Sequence, residues 1–368
     1  MTIPRSIGPR SIRFQAKTMS SGKVKTAVAV ILLGGLITGC APDPLPVLNV
    51  EPVTGRPALT QDQTFNVLDD LSSALSSATS SRDPNLLSRR LTGPALTVRT
   101  SQLEVAATRD DNEQITVIPD TFQQIIVPTT ETWPRTMFAI TASEQLQLPR
   151  LLALVQDSAR DPYRLWGWVQ LQPGVTMPAF DDPRVGSEEV PPNNGEGTLV
   201  MSPAEAIRQY ADLLVNQEES AYVGNFQPLA DDQLRFHLQG WRAAQETALQ
   251  GERIEGTYTF TAEPAEGASV KAVRSYDGGA MVMGEIHTFE RLEAMAGAVL
   301  APQTMTAQAL LYGQDFTNIL SASYVDIIAL YIPPAGSGQV VTLLGYSHIQ
   351  TGASVSDPPS EDYPESEG

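Results

Sequence analysis

The sequence of 368 residues has few of the residues that most often carry chemistry. It contains one cysteine, Cys40, and three histidines, His237, His287 and His348. A lone cysteine permits no disulfide within the chain, so stability has to come from a packed core. The histidines are far apart and stand in no metal-ligand spacing. Beyond residue 40 there is no G-x-S-x-G elbow, no S-x-x-K and no H-E-x-x-H. With Cys40 placed as described below, no cysteine is left to act as a nucleophile. Lysine is also scarce: after Lys25 only Lys271 remains, the other basic residues being arginines. The apolar run at 27–37 has about 11 residues, well short of the ~20 that a membrane-spanning helix needs.

What surrounds that run is informative. Residues 1–39 carry Arg5, Arg10, Arg13, Lys17, Lys23 and Lys25 and no acidic residue. A basic leader, a short apolar core and small residues before a cysteine describe a signal peptide that is removed before folding. Met19 offers a second start, with Lys23 and Lys25 as its basic flank. The run ends Ile37-Thr38-Gly39-Cys40, which resembles the lipobox of bacterial lipoproteins, where the cysteine is lipidated and becomes the new N-terminus. The resemblance implies a lipid such as palmitate on Cys40, holding the chain on the extracytoplasmic face of the cell membrane.

Six of the 24 basic residues fall in the leader, leaving 18 against 42 acidic ones, a net charge of −24. Such a chain is repelled by nucleic acid and by anionic headgroups, so no nucleic-acid partner is expected.

The remainder divides by composition. Residues 40–60 hold five prolines, Pro42, Pro44, Pro46, Pro52 and Pro57, and read as an extended tether. A first α+β domain is expected over 61–174. It opens with an amphipathic helix carrying Phe65, Leu68, Leu71, Leu75 and Ala78. A second helix follows, capped by Asp83 with Pro84 in its first turn, and residues 95–107 are expected to be helical. Short β-rich runs through Ile115, Val117, Ile125, Val127, Phe138 and Ile140 come next, then the strands 151–155 and 165–171. Residues 175–201, rich in proline and turn formers, read as a linker. A second, larger α+β domain is expected over 202–352, with Ser202, Pro203 and Glu205 starting its first helix as a capping box. A long helix over 231–250 carries Leu234, Leu238, Trp241, Ala244 and Leu249. Six strands are expected near 256–263, 268–275, 280–290, 305–312, 323–332 and 339–350, with a short helix at 291–300. The acidic stretch 353–368 reads as a disordered tail.

The two domains share a pattern. Leu151-Leu152-Ala153-Leu154 matches Ile327-Ile328-Ala329-Leu330. Trp166-Gly167-Trp168 matches Leu344-Gly345-Tyr346, and Gln172-Pro173-Gly174 matches Gln350-Thr351-Gly352. Two copies of one helix–turn–helix–strands module follow, the second enlarged. Helices on one face of a curved antiparallel sheet resemble the NTF2-like and cystatin-like cone folds. The whole chain resembles the uncharacterised two-domain lipoproteins of actinobacteria. Neither resemblance implies a reaction.

No catalytic residue, metal site or cofactor is indicated. Asp110-Asp111 and Asp181-Asp182 lack the spacing of a calcium loop. A cone closed by helices leaves a cavity, for which Phe65, Trp168, Trp241 and Tyr346 are the candidate lining residues. The expected role is that of a non-catalytic scaffold or binding module of the cell envelope, meeting an envelope protein. The alternative is a carrier or sensor of a small apolar ligand. An NTF2-like enzyme using a carboxylate or histidine in the cavity ranks third.

Overall fold

The computed structural model describes residues 55–143, 148–195, 197–251, 254–265 and 270–356. The expected signal peptide, Cys40, most of the expected tether and residues 357–368 of the expected tail lie outside the described residues; residues 353–355, expected to begin that disordered tail, instead complete the last strand, paired to Leu320–Ala322. Those described belong to one compact unit, Pro52–Gly368.

Helix α1 (Gln61–Ser81) starts at a capping box. The Thr60 hydroxyl accepts from the Gln63 backbone N–H at 3.3 Å, and the Gln63 side chain accepts from the Thr60 N–H at 2.9 Å. Its buried stripe is Thr64, Leu68, Leu71, Leu75 and Ala78. The expected leader of that stripe, Phe65, is 46% exposed, because the three-and-four ladder runs back through Thr64. Arg82, in the left-handed region, ends the helix. Where a second helix was expected, Asp83 and Pro84 build only a single 3-10 turn, Pro84–Leu86. Helix α2 (Gly93–Arg109) covers the residues expected to be helical.

Four antiparallel strands follow: β1 (Phe122–Ile126), β2 (Arg135–Thr141), β3 (Arg150–Gln156) and β4 (Arg164–Leu171). Ile115 and Val117 precede them in irregular backbone. Helix α3 (Pro203–Asn216) is capped by Ser202, which accepts from the Glu205 N–H at 3.3 Å. The expected reciprocal bond is missing, since the Glu205 carboxylate is held by Arg208 and Gln209. Helix α4 (Gln233–Ala248) buries Leu234, Arg235, Leu238 and Gln245; Ala244 is exposed. Then come β5 (Gly256–Pro264), β6 (Val270–Arg274), β7 (Ala280–Ala294), α5 (Met305–Leu310), β8 (Ile319–Ile332) and β9 (Thr342–Val355). Two expectations change here. Residues 291–294 continue β7, and 305–310 are helical, because the Thr304 hydroxyl caps the Ala307 N–H at 3.0 Å and starts a helix in place of a strand.

All nine strands join one sheet in the order β1-β2-β3-β4-β9-β8-β7-β5, with β6 also on β7. The order is nearly palindromic, and the last strand of each half meets the other at the centre. Gln170 pairs with Tyr346 and Leu171 with Gly345. The repeat read from the sequence is visible in the register. In β3–β4, Leu152 faces Trp168 and Ala153 faces Gly167, with a bulge after Ala153; in β8–β9, Ile328 faces Tyr346 and Ala329 faces Gly345, with a bulge after Ala329.

Two separated domains were expected; the sheet and the core are instead continuous across the middle of the chain. Ile327 and Ala329 of β8 enter the apolar cluster built with α1 and α2, while Ile328, Leu330 and Ile332 enter the one built with α3 and α4. A strand covered on both faces reads as an unbroken apolar run. Each of the isoleucines and leucines among them contributes roughly 1.5–3 kcal/mol by burial. The expected linker is woven in as well: Ser187 bridges Pro128, Glu189 bridges Val273 and Leu199 bridges Pro334.

Candidate functional site

The second half is longer where β7, β8 and β9 extend past the shared hairpin and where α5 is inserted. A pocket of about 370 Å³ lies there. Helix α2 supplies Ser101, Gln102 and Val105. Helix α4 supplies His237 and Trp241, one turn apart on a single face. Thr304 and Thr306 come from the start of α5, Tyr324 from β8, and His348, Ile349 and Gln350 from β9.

Strand register builds its polar floor. Asp326 and His348 are direct cross-strand partners, and so are Tyr324 and Gln350. Asp326 is fully buried and takes two bonds, from the Thr288 hydroxyl at 2.7 Å and from His348 Nδ1 at 2.5 Å. Holding Nδ1–H against Asp326 fixes the ring and leaves Nε2 at its far edge. Tyr324 stacks on the imidazole, centroids 4.3 Å apart and planes 11° apart. The Tyr324 hydroxyl donates to Glu290 at 3.2 Å, and Tyr258 donates to the same carboxylate at 2.9 Å. Trp241 and Glu290 line one adjoining hollow. His237 stands edge-on to His348 at 6.3 Å.

The electrostatics follow from burial. Burial alone would lower the His348 pKa, but the Asp326 charge, its hydrogen bond and Glu290 outweigh it and raise the imidazole above its ordinary value. Burial raises Glu290, against the bonds it receives. His237 is lowered, by burial and by repulsion from His348. A bulge between Ser323 and Tyr324 turns β8 at this point.

The four residues expected to line a cavity do not meet. Trp241 lines this pocket. Trp168 is fully buried in the core, with Arg99 5.4 Å over its ring. Tyr346 borders a neighbouring hollow with Arg150, Gln170 and Gln233. Phe65 lies beside Pro57, Leu59, Ile125 and Val127 in a separate cleft near the start of α1. Sequence reasoning set His348 aside and missed Asp326, since the two lie 22 residues apart. Counting outward from the 333–341 turn along the two apolar strands places them opposite each other, which was the available signal. Among the described residues, no group of three His, Cys, Asp or Glu side chains could hold a metal ion. Within the same residues, no helix is long and apolar enough to cross a membrane.

Fold and site together define a class: an α+β protein of two like halves on one sheet, with a pocket of mixed polar and apolar lining in the larger half. The family model described as "Domain of unknown function (DUF8094)" matches residues 55–355, and the chain belongs to that family. It is also similar to an "Uncharacterized lipoprotein" of Streptomyces avermitilis, 24% identical over 291 residues, which are 78% of this chain and 83% of the relative. No solved structure matches.

Proposed function

We propose that the chain is a lipoprotein anchored through Cys40 on the extracytoplasmic face of the cell membrane. There it serves as a non-catalytic binding module of the envelope, its site the pocket between α2, α4, α5 and the β8–β9 pair. The basic leader, the lipobox-like Ile37-Thr38-Gly39-Cys40 and the printed name of the Streptomyces relative support the anchor. In this reading each half derives from an NTF2-like or cystatin-like module, which the shared hairpin register supports. The observation that carries the binding role is the pocket itself. It lies between three helices and a strand pair, and its lining holds ring, amide and hydroxyl groups beside Val105 and Ile349 but no lysine, arginine or carboxylate.

The anchor is tested by labelling cells with radioactive palmitate. Label should enter the wild-type protein and be lost from Cys40→Ala; an unlabelled protein recovered from the cytosol ends the proposal. The binding role is tested by placing a photo-crosslinking amino acid at Thr306 in living cells. An adduct should form there and disappear when the pocket is filled by Ser101→Phe.

A second reading is favoured by one observation. A buried carboxylate bonded to a histidine that faces a pocket is the arrangement of a general base. Screening the purified protein with nitrophenyl esters and glycosides separates the two. Turnover that vanishes in His348→Gln would replace the non-catalytic reading.

A further inference from the structure

We infer that the pocket selects a neutral, polyhydroxylated ligand of the size of a mono- or disaccharide; the inference rests on the binding role proposed above. The argument starts from which charges are free. Asp326 is occupied by Thr288 and His348, and Glu290 by Tyr258 and Tyr324. Both carboxylates are buried, so neither is open to pair with a cationic ligand. The positive charge available to the lining is that of its histidines, and Asp326 already neutralises His348. An anion would enter without a counter-charge, near two carboxylates, at a high desolvation cost.

An apolar ligand fails for the opposite reason. The lining carries Ser101, Gln102, Gln114, Thr304, Thr306 and Gln350. Each amide has two donors and two acceptor sites, and each hydroxyl one donor and two. Internal bonds use part of this capacity: Gln350 donates to the Gly352 carbonyl and accepts from Thr304, Gln114 accepts from Thr306, and Gln102 donates to the Thr116 hydroxyl and accepts from the Thr116 N–H. The Ser101 hydroxyl, 5% exposed, has no hydrogen-bond partner among the described residues. Covering the amide and hydroxyl capacity left over with hydrocarbon would leave it unpaired, at about 1–3 kcal/mol for each group so stranded.

A sugar suits both facts. Its hydroxyls donate and accept in turn, matching amides and hydroxyls that do the same. Its apolar C–H faces match flat rings with an apolar body and a polar tip, and Trp241, Tyr324 and His348 supply them. Tyr324 is pinned through its hydroxyl and His348 through Asp326, and the two rings stack, so both are set before a ligand arrives. The volume of about 370 Å³ sits at the low end of the roughly 300–1,000 Å³ of small-molecule sites.

The test uses the full-length lipidated protein in a detergent without a sugar headgroup, titrated by calorimetry and by tryptophan fluorescence. The probes are glucose, maltose, cellobiose, decanoate, inorganic phosphate and tetramethylammonium. At least one sugar should bind, and its affinity should fall tenfold or more in Trp241→Ala and in Gln350→Ala. Trp241→Phe keeps a ring and should bind within a few-fold of wild type, with an unchanged melting temperature showing that it folds. Tighter binding of decanoate, phosphate or tetramethylammonium than of any sugar overturns the inference and leaves the binding role intact. So does silence from every probe while the Thr306 crosslink persists. Silence from the probes together with loss of the crosslink overturns both.

Discussion

The two halves carry the same hairpin and put it to different uses. In the larger half Asp326 faces His348 and the pair sits at the edge of a pocket. At the matching places in the smaller half Arg150 faces Gln170, and no such pair forms. Gln350 belongs to the pocket. Its counterpart Gln172 belongs to the join, where its side chain donates to the Leu343 carbonyl at 2.6 Å and accepts from the Gln233 N–H at 2.8 Å. The difference follows from length. Strand β3 stops at Arg150, whereas β8 runs back seven residues further, from Asp326 to Ile319, and α5 packs against the added ribbon. A site therefore arose where the repeat was extended, and a seam where it was not.

The strongest challenge to this contrast is Asp326→Ala. It removes one partner of a fully buried pair and should cost about 3–5 kcal/mol in urea unfolding, whereas Arg150→Met should cost about 1 kcal/mol. Equal losses would show that the two hairpins are not specialised. Next come the matching glycines. A Cβ on Gly345 would lie 2.4 Å from the Gln170 carbonyl oxygen, whereas one on Gly167 would meet only Ile327 methyl groups at 3.3 Å. Gly345→Ala should cost roughly 2–3 kcal/mol and Gly167→Ala under about 1 kcal/mol, read as thermal midpoints.

The effect of pH is smaller and confined to the larger half. The His348 pKa is raised in the folded state. Its contribution is therefore complete below the unfolded value of about 6.5 and is lost as pH rises through the folded one. The melting temperature should fall between pH 6 and 8 in wild type and fall less in His348→Gln. Glu290, also raised by burial, acts in the same direction but from the carboxylate range upward. The smallest expected effects are at the helix caps. Thr60→Ala breaks a reciprocal box and Ser202→Ala a single bond, so the first should cost somewhat more, both near about 1 kcal/mol.

Much of the fold was legible. The two hairpins stood out because their apolar runs and glycines recur in order, α1 and α4 because of their periodicity, and α3 because its periodicity and its Ser202 cap agree. Helix α5 was hidden by β-favouring residues around it; one threonine hydroxyl decides it. The continuity of the sheet was hidden for a physical reason. Proline-rich composition marks 175–201 as irregular, but irregular backbone can still bridge strands, as Ser187, Glu189 and Leu199 do. Of the site, Trp241 was named from its sequence context. Asp326 was not, because its role depends on its partner across the ribbon.

The woven passage from Ser187 to Leu199 has a practical corollary for anyone wishing to divide the protein. A cut anywhere along it would not release two tidy pieces. One fragment would carry β4 and the other β9, with the backbone groups of the join at Gln170–Gln172 and Leu344–Tyr346 suddenly bare and bordered by Leu171, Leu343 and Leu344. Naked edges of that composition attract one another, so the severed parts would clump or re-pair, and half-length genes make poor starting points for expression.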